Sequence, residues 1–257
     1  MPRWLRFEHQ GSVGFGTLDG AAIAVHDGDM FADPTPTGTT LALGDVTLLT
    51  PTAPGKMIAL WNNFHALAAK LDLTPPDEPL YFLKAGTSFL ATGETIHRPE
   101  AYDGKVIYEG ELGIVIGKRC AGVSLDEAAD CVFGYTCIND VTAIDLLNKD
   151  PTFQQWARAK SFDGFGVFGP VVATDIDPAA CTVKVVLNGD LRQDYPLSDM
   201  IHPPLGLVSL LSHDMTLMPG DVIACGTSVG VGSMKQARNT VEVTIEGIGT
   251  LSNVFAQ

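Results

Sequence analysis

Two glutamates, Glu109 and Glu111, stand one residue apart in Tyr108-Glu-Gly-Glu-Leu-Gly-Ile-Val-Ile-Gly117. On a strand, alternate side chains share a face, so this spacing aims both carboxylates one way and Tyr108, Leu112, Ile114 and Ile116 the other. Like charges side by side repel, and burying them is costly unless a cation or protons compensate. A solvent-facing strand with two exposed glutamates would account for the pattern equally simply. Asp140, where Cys137-Ile-Asn-Asp140 leaves a second strand, shifts the balance towards chemistry. Three carboxylates supply oxygen ligands to a hard divalent cation and leave positions open for water or substrate, which suits magnesium or manganese better than zinc. Lys160, in Arg158-Ala-Lys160-Ser-Phe-Asp163, offers a compact ammonium that near such a cation would hold a carboxylate or an enolate. Taken alone it reads as readily as a surface lysine.

Three other patterns fail in context. Gly164-Phe-Gly166-Val-Phe-Gly169 has the spacing of a dinucleotide loop, but Pro170-Val-Val-Ala follows and predicts a strand where a phosphate-binding helix is required. Gly226-Thr-Ser228-Val-Gly230 has the spacing of a serine nucleophile elbow, yet no His or Asp follows Asp221, and that fold supplies both downstream. The six histidines contain no H-x-x-x-H pair, so a helical zinc site has no support.

Composition narrows the field further. The chain has 257 residues with a formal net charge of −14, and its longest basic run is Lys118-Arg119, so nucleic acid is disfavoured as a partner. A membrane role is disfavoured because no run approaches the length of an apolar span and no apolar region follows Met1-Pro-Arg-Trp-Leu-Arg. Five cysteines without a C-x-x-C pair read as reduced, buried thiols in a cytoplasmic protein.

The elements that must position these residues are mostly strands. Residues 1–50 carry short runs (Trp4 to Phe7, Val13 to Thr17, Ala21 to Val25, Val46 to Leu49) between turn residues including Asp33-Pro34, Pro36 and Gly38, which predict a small β-rich N-terminal unit. Residues 51–257 form the main unit. There Lys56 to Trp61, Pro79 to Lys84, Val106 to Lys118, Val132 to Ile138, Val167 to Ala173, Thr182 to Leu187, Val222 to Cys225 and Val241 to Ile245 read as strands. His65 to Leu71, a run opening at the capping box Ser124-Leu-Asp-Glu127, and Val141 to Asn148 read as short helices. Asn188-Gly189 predicts a hairpin. The fold class is therefore α+β and β-dominated, not a doubly wound sheet.

Together these blocks resemble the fumarylacetoacetate hydrolase family. The resemblance rests on Tyr108 to Gly117, on Gly134-Tyr-Thr-Cys-Ile-Asn-Asp140-Val-Thr-Ala143, on Lys160-Ser-Phe-Asp163 with Gly169-Pro170, and on Pro219-Gly-Asp-Val-Ile-Ala224 leading to Gly226-Thr227. It implies a mixed β-roll or sandwich core, a homodimer, and Mg2+ or Mn2+ held by Glu109, Glu111 and Asp140. It also implies small 2-oxo acid substrates, met by Lys160 with Gly226 and Thr227. Two departures stand out. Hydrolytic members pair a His with a Glu three residues later to activate water, whereas His65 is followed by Ala68; and Ile144 stands where an Arg is usual. The resemblance implies first the hydrolytic C–C cleavage of an acylpyruvate or related 1,3-diketo acid, through an enolate beside the metal, with His65 as base. The alternative is a decarboxylase or an isomerase/tautomerase acting on an oxaloacetate-like or hydroxymuconate-type acid of aromatic catabolism, which needs no activated water. A non-catalytic 2-oxo-acid binder is disfavoured by the complete acidic set. Asn62 to Leu71, with the small residues Ala66, Ala68 and Ala69, reads as a weakly anchored lid.

Overall fold

The computed structural model describes residues 2–257. The largest of its three sheets runs, in spatial order, through Thr35–Ala42, Ala22–Asp27, Ser12–Asp19, Arg3–His9, Gly166–Ala173, Val132–Asp140, Gly110–Ile116, Val222–Ala224, Met57–Trp61 and Leu80–Lys84. After Lys84 the chain returns and Phe89–Leu90 pairs in parallel with Gly166–Ala173. The strands from Gly166–Ala173 to Leu80–Lys84 thereby curl around a closed interior. That interior holds Met57, Ala59, Val115, Ile138, Phe168, Val172, Val222 and Ala224. A five-stranded sheet, Asp190–Pro196, Thr182–Leu187, Arg238–Ile245, Gly249–Ala256 and Thr95–His97, covers the outer face. Leu112, Ile114 and Ile116 pack there with Val183, Val185, Val243, Leu251 and Phe255. Each such side chain contributes about 1.5–3 kcal/mol by leaving water.

The strand bearing the glutamates is thus apolar on both faces, and it is not continuous. Val106–Tyr108 pairs with Thr142–Ala143 and Gly232–Ser233 in the three-stranded sheet, and Gly110–Ile116 belongs to the large one, with Glu109 at the break. Gly110 explains the crossing: a Cβ there would lie 2.2 Å from Val185 Cγ2, so only glycine passes beneath the covering sheet.

Several local signals hold. Asn188 and Gly189 both have positive φ, +54° and +87°, in the hairpin joining Thr182–Leu187 to Asp190–Pro196, as a two-residue type I′ turn requires. The Ser124–Glu127 capping box opens the helix Leu125–Ala128. Val141 to Asn148 is a helix only over Ile144–Leu147, after the short strand Thr142–Ala143. Sequence reading passed over the helix Pro204–Asp214, because Pro203, Pro204 and Gly206 look like breakers; Pro204 in fact occupies its first turn, where the missing N–H costs nothing. Pro36 and Gly38, expected to mark turns, instead lie within Thr35–Ala42, an exposed edge strand, a position that tolerates Pro36. The N-terminal strands join the main sheet through Arg3 opposite Ala173 and Trp4 opposite Val172. All five cysteines are free, four buried and Cys181 half-buried. Among the described residues no helix is long and apolar enough to cross a membrane.

Candidate metal centre

Antiparallel pairing sets Gly110 opposite Asn139 and Glu111 opposite Ile138, so Asp140, the last residue of its strand, arrives beside Glu109. The Asp140 N–H donates to the Glu109 carbonyl at 2.8 Å, and the Glu109 N–H donates to Asn139 Oδ1 at 3.1 Å. These two bonds fix the break in the glutamate strand. As a result one oxygen from each of Glu109, Glu111 and Asp140 lies within 4.8 Å of the others. The cluster sits at one end of the enclosed interior, because Glu111 and its partner Ile138 face the side that carries Val115 and Ala224.

Two lysines enter this acidic group. Lys160 ends the short helix Trp156–Lys160, and its Nζ lies 2.7 Å from Glu109 Oε2 and 2.6 Å from Asp140 Oδ2. Lys84, at the end of Leu80–Lys84, bonds Asp140 Oδ1 with no side-chain exposure. Gly166 makes room for it: a Cβ there would meet Lys84 Cε at 3.3 Å and Ser88 Oγ at 2.8 Å. Thr142 Oγ1 donates to Glu109 Oε1 at 3.2 Å, and the Gly226 N–H donates to Glu111 Oε2 at 2.8 Å. Gly226 holds that N–H in place with φ +87°.

The electrostatics differ at each carboxylate. Burial pushes Asp140 up, but Lys160 and Lys84 outweigh it and hold the carboxyl below its usual range. Glu109 is raised, by burial first, with Lys160 opposing and Asp140 adding to the rise. Glu111 is pushed well above the usual range by burial and then by Asp140, and no other carboxylate in the cluster lacks a side-chain donor. Lys160 is raised: burial works against its charge, and Asp140 and Glu109 more than restore it. Lys84 is lowered by burial despite Asp140.

Glu111 Oε1 is buried with no hydrogen-bond partner. An unsatisfied buried carboxylate oxygen facing two further oxygen donors is what a hard divalent cation requires, and the residues fit one.

The other sequence candidates fall around this centre unevenly. Gly226 touches it directly. Thr227 is buried, and its hydroxyl donates to the Gly110 carbonyl and accepts from Gln193 Nε2, both at 2.9 Å. Thr227 therefore braces the backbone between the glutamates. His65 opens the helix His65–Lys70 as an exposed residue without a side-chain hydrogen bond among the described residues; the structure does not place it among the carboxylates. Ala68 is buried. The segment is better anchored than its small residues suggest: Phe64 is fully buried against Tyr195 with ring centroids 5.0 Å apart, Leu67 is buried, and the Ala66 N–H donates to Asp199 Oδ2 at 2.9 Å. Asn63 ties the same stretch to Cys225, next to Gly226, by a 2.9 Å bond.

Sequence reading missed Lys84 and the Gln193–Tyr195 support beneath Gly110, whose carbonyl accepts from the Tyr195 hydroxyl and whose N–H donates to Gln193 Oε1. The one signal for Lys84 was a lysine closing an otherwise apolar strand.

Comparison with known proteins agrees with the architecture. The family model for the C-terminal domain of fumarylacetoacetate hydrolase matches residues 56–256, and one for an Rv2993c-like N-terminal region matches residues 3–51. Protein Rv2993c of Mycobacterium tuberculosis is 40% identical over 91% of this chain and 94% of its own. Oxaloacetate tautomerase YisK of Bacillus subtilis is 36% identical over 82% of this chain and 74% of its own. The crystal structure of 2-hydroxyhepta-2,4-diene-1,7-dioate isomerase from Mycobacterium marinum superposes with a TM-score of 0.91 at 36% identity, covering 100% of this chain and 98% of the other.

Proposed function

The chain belongs to the fumarylacetoacetate hydrolase family, and from that premise we propose that it isomerises, tautomerises or decarboxylates a small 2-oxo acid with a divalent cation. The observation that carries this reading is the Lys160 ammonium bridging Glu109 and Asp140 beside the unpartnered Glu111 Oε1. Glu109, Glu111 and Asp140 would hold Mg2+ or Mn2+. Such a cation supplies positive charge against which electron density shifts onto the oxygens of a 2-oxo acid.

The protein's own residues complete the arrangement. Lys160 stays an ammonium, so it serves as a fixed donor to an oxygen gaining charge and not as the base. With Glu111 ionised on ligation, three carboxylates, two ammoniums and a divalent cation would leave the site with one positive charge. An anionic acid then neutralises the site. Lys84 and Phe82 flank the centre from the strand Leu80–Lys84, with the Phe82 ring 5.4 Å from the Lys160 ammonium.

Hydrolysis needs an activated water as well. The position three residues beyond His65 is the buried Ala68, so the chain lacks the acid that would orient a histidine base. Similarity to a tautomerase and to an isomerase supports the same side of the choice. The test is to follow oxaloacetate enol–keto conversion, carbon dioxide release and acylpyruvate cleavage separately with Mg2+-loaded protein. Cleavage of acylpyruvate as the fastest activity would overturn the reading.

A further inference from the structure

Gly110 stands between Glu109 and Glu111, so its backbone sets how far apart, and at what angle, those two carboxylates are presented. Glycine is the residue least able to hold such a setting by itself. We propose that Gln193 is the positioning residue that holds it, and that by doing so it tunes the acidic centre to the small Mg2+ ion over the larger Ca2+. The proposal rests on the reading of Glu109, Glu111 and Asp140 as a metal site.

Strand pairing leaves the far side of Gly110 open. Val222–Ala224 pairs with the glutamate strand only from Gly113 to Val115, and the Cys225 N–H reaches the Leu112 carbonyl before the chain turns at Gly226. Beyond that point three buried side chains take the place of a strand. Gln193 Oε1 accepts from the Gly110 N–H at 3.0 Å, and the Tyr195 and Thr227 hydroxyls both donate to the Gly110 carbonyl. Gln193 and Tyr195 are the two buried residues of Asp190–Pro196, the edge strand of the covering sheet, and both bond to Gly110. An edge strand that served packing alone would turn apolar side chains inward.

Gln193 also reaches the other wall of the centre. Its Nε2 donates to Thr227 Oγ1 at 2.9 Å and to the Val229 and Ser228 carbonyls at 3.2 and 3.3 Å. One amide thus brackets the glutamate strand and the loop whose Gly226 N–H holds Glu111 Oε2. Two backbone features permit this. Val185 and Val186 pair with Gln193 and Leu191, which leaves Arg192 as the extra residue of a bulge, a device that re-aims the neighbouring side chain. Gly230 lets the loop pass in contact: a Cβ there would lie 2.3 Å from the Arg192 carbonyl oxygen and 3.1 Å from Gln193 Cγ. That close passage accounts for the last glycine of Gly226-Thr-Ser228-Val-Gly230, the run with elbow-like spacing.

Rigidity of this kind has a chemical consequence. Mg2+ demands near-octahedral oxygens at about 2.1 Å, whereas Ca2+ accepts irregular sets at about 2.3–2.6 Å. Two carboxylates that cannot drift apart favour the smaller ion, and loosening them costs Mg2+ more than Ca2+.

The test titrates Mg2+ and Ca2+ separately into the cation-free full chain by calorimetry. Gln193→Met keeps the volume and removes every bond of the bracket. It should weaken Mg2+ binding by about tenfold to a hundredfold, the range for losing a group that orients metal ligands. Ca2+ binding should weaken by less, so the ratio of the two affinities shifts towards Ca2+. Thr227→Val removes the other end of the bracket and should shift the ratio the same way, and it decides the question if Gln193→Met does not fold. A damaged fold weakens both cations alike, so a purely structural Gln193 would leave the ratio where it is. Equal weakening of both cations, or of neither, would overturn the positioning role while leaving the metal centre standing. A wild-type chain that binds neither cation would overturn the reading of the acidic centre and the positioning role with it.

Discussion

Lys84 and Lys160 meet on the carboxylate of Asp140, one on each oxygen. They reach it from different elements, Lys84 from the strand Leu80–Lys84 and Lys160 from the helix Trp156–Lys160. Asp140 is therefore held ionised without a cation, whereas Glu111 has a single backbone N–H for company. The centre is asymmetric: one carboxylate is already compensated and another waits for its counter-charge.

Removing Lys84 tests that asymmetry. Lys84→Met should destabilise the cation-free protein by about 3–5 kcal/mol, because Asp140 is left as a buried charge with one partner fewer. Mg2+ should restore part of the loss by supplying the missing charge, so the gain in Tm on adding Mg2+ should exceed that of the wild type. Equal Tm values for variant and wild type in a chelator would show that Lys84 does not compensate Asp140.

Glu111 gives cation binding a pH dependence with a definite sign. Its carboxyl is raised well above 4.5 in the cation-free protein, so it carries a proton over the interval between that value and the raised one. Ligation requires the carboxylate, so binding must expel the proton, and affinity rises with pH through the interval. One proton displaced corresponds to about a tenfold change per pH unit. Calorimetric titration of Mg2+ in two buffers of different ionisation enthalpy measures the release directly. Glu111→Gln should abolish it, and a buffer-independent heat for the wild type would contradict the assignment.

Lys160→Met should lower turnover by about a hundredfold to a thousandfold, the usual loss when a donor to developing oxyanion charge is removed. Its burial between Glu109 and Asp140 means that the variant also loses stability, unlike an exposed lysine. Mg2+ should recover Tm but not turnover. Recovery of both would make Lys160 a structural counter-charge only.

How much of this was legible in the sequence depends on how far each contact reaches. Glu109, Glu111 and Asp140 were readable because the pairing of Gly110–Ile116 with Val132–Asp140 is local in space and their alternation is set by the strand itself. The break at Glu109 was not, since it depends on Gly110 passing under Val185, a residue of another sheet. Lys84 was hidden by an inversion: Leu80, Tyr81 and Leu83 are 45%, 37% and 45% exposed and the lysine is buried, the reverse of what transfer energies favour. Only the curl of the sheet, closed through Phe89–Leu90, aims that lysine inward. Pro204–Asp214 was obscured by its own proline signals. His65 was placed by its nearness to the family pattern, which fixes the start of a helix but not which side of it meets the carboxylates.

The last expectation concerns His65. The helix His65–Lys70 turns Leu67 and Ala68 inward and leaves His65 in solvent, and Phe64 and Asp199 pin its start. Position 68 is a buried alanine beside Leu67, so no acid stands there to orient His65. Decarboxylation needs charge stabilisation at oxygen and no hydrolytic water, and isomerisation or tautomerisation needs in addition only a carrier, solvent included, that moves one proton between oxygen and carbon; His65 makes no hydrogen bond to Glu109, Glu111, Asp140 or Lys160 among the described residues. His65→Ala should therefore leave kcat/KM for tautomerisation and decarboxylation within about a factor of two, a change too small to mark a transition-state contact. Any acylpyruvate cleavage by the wild type should disappear in the same variant if the histidine swings inward to serve as base. Stopped-flow measurement of both activities on one preparation decides it: a hundredfold loss of tautomerisation would bring His65 into the common mechanism and require the helix to close over the substrate.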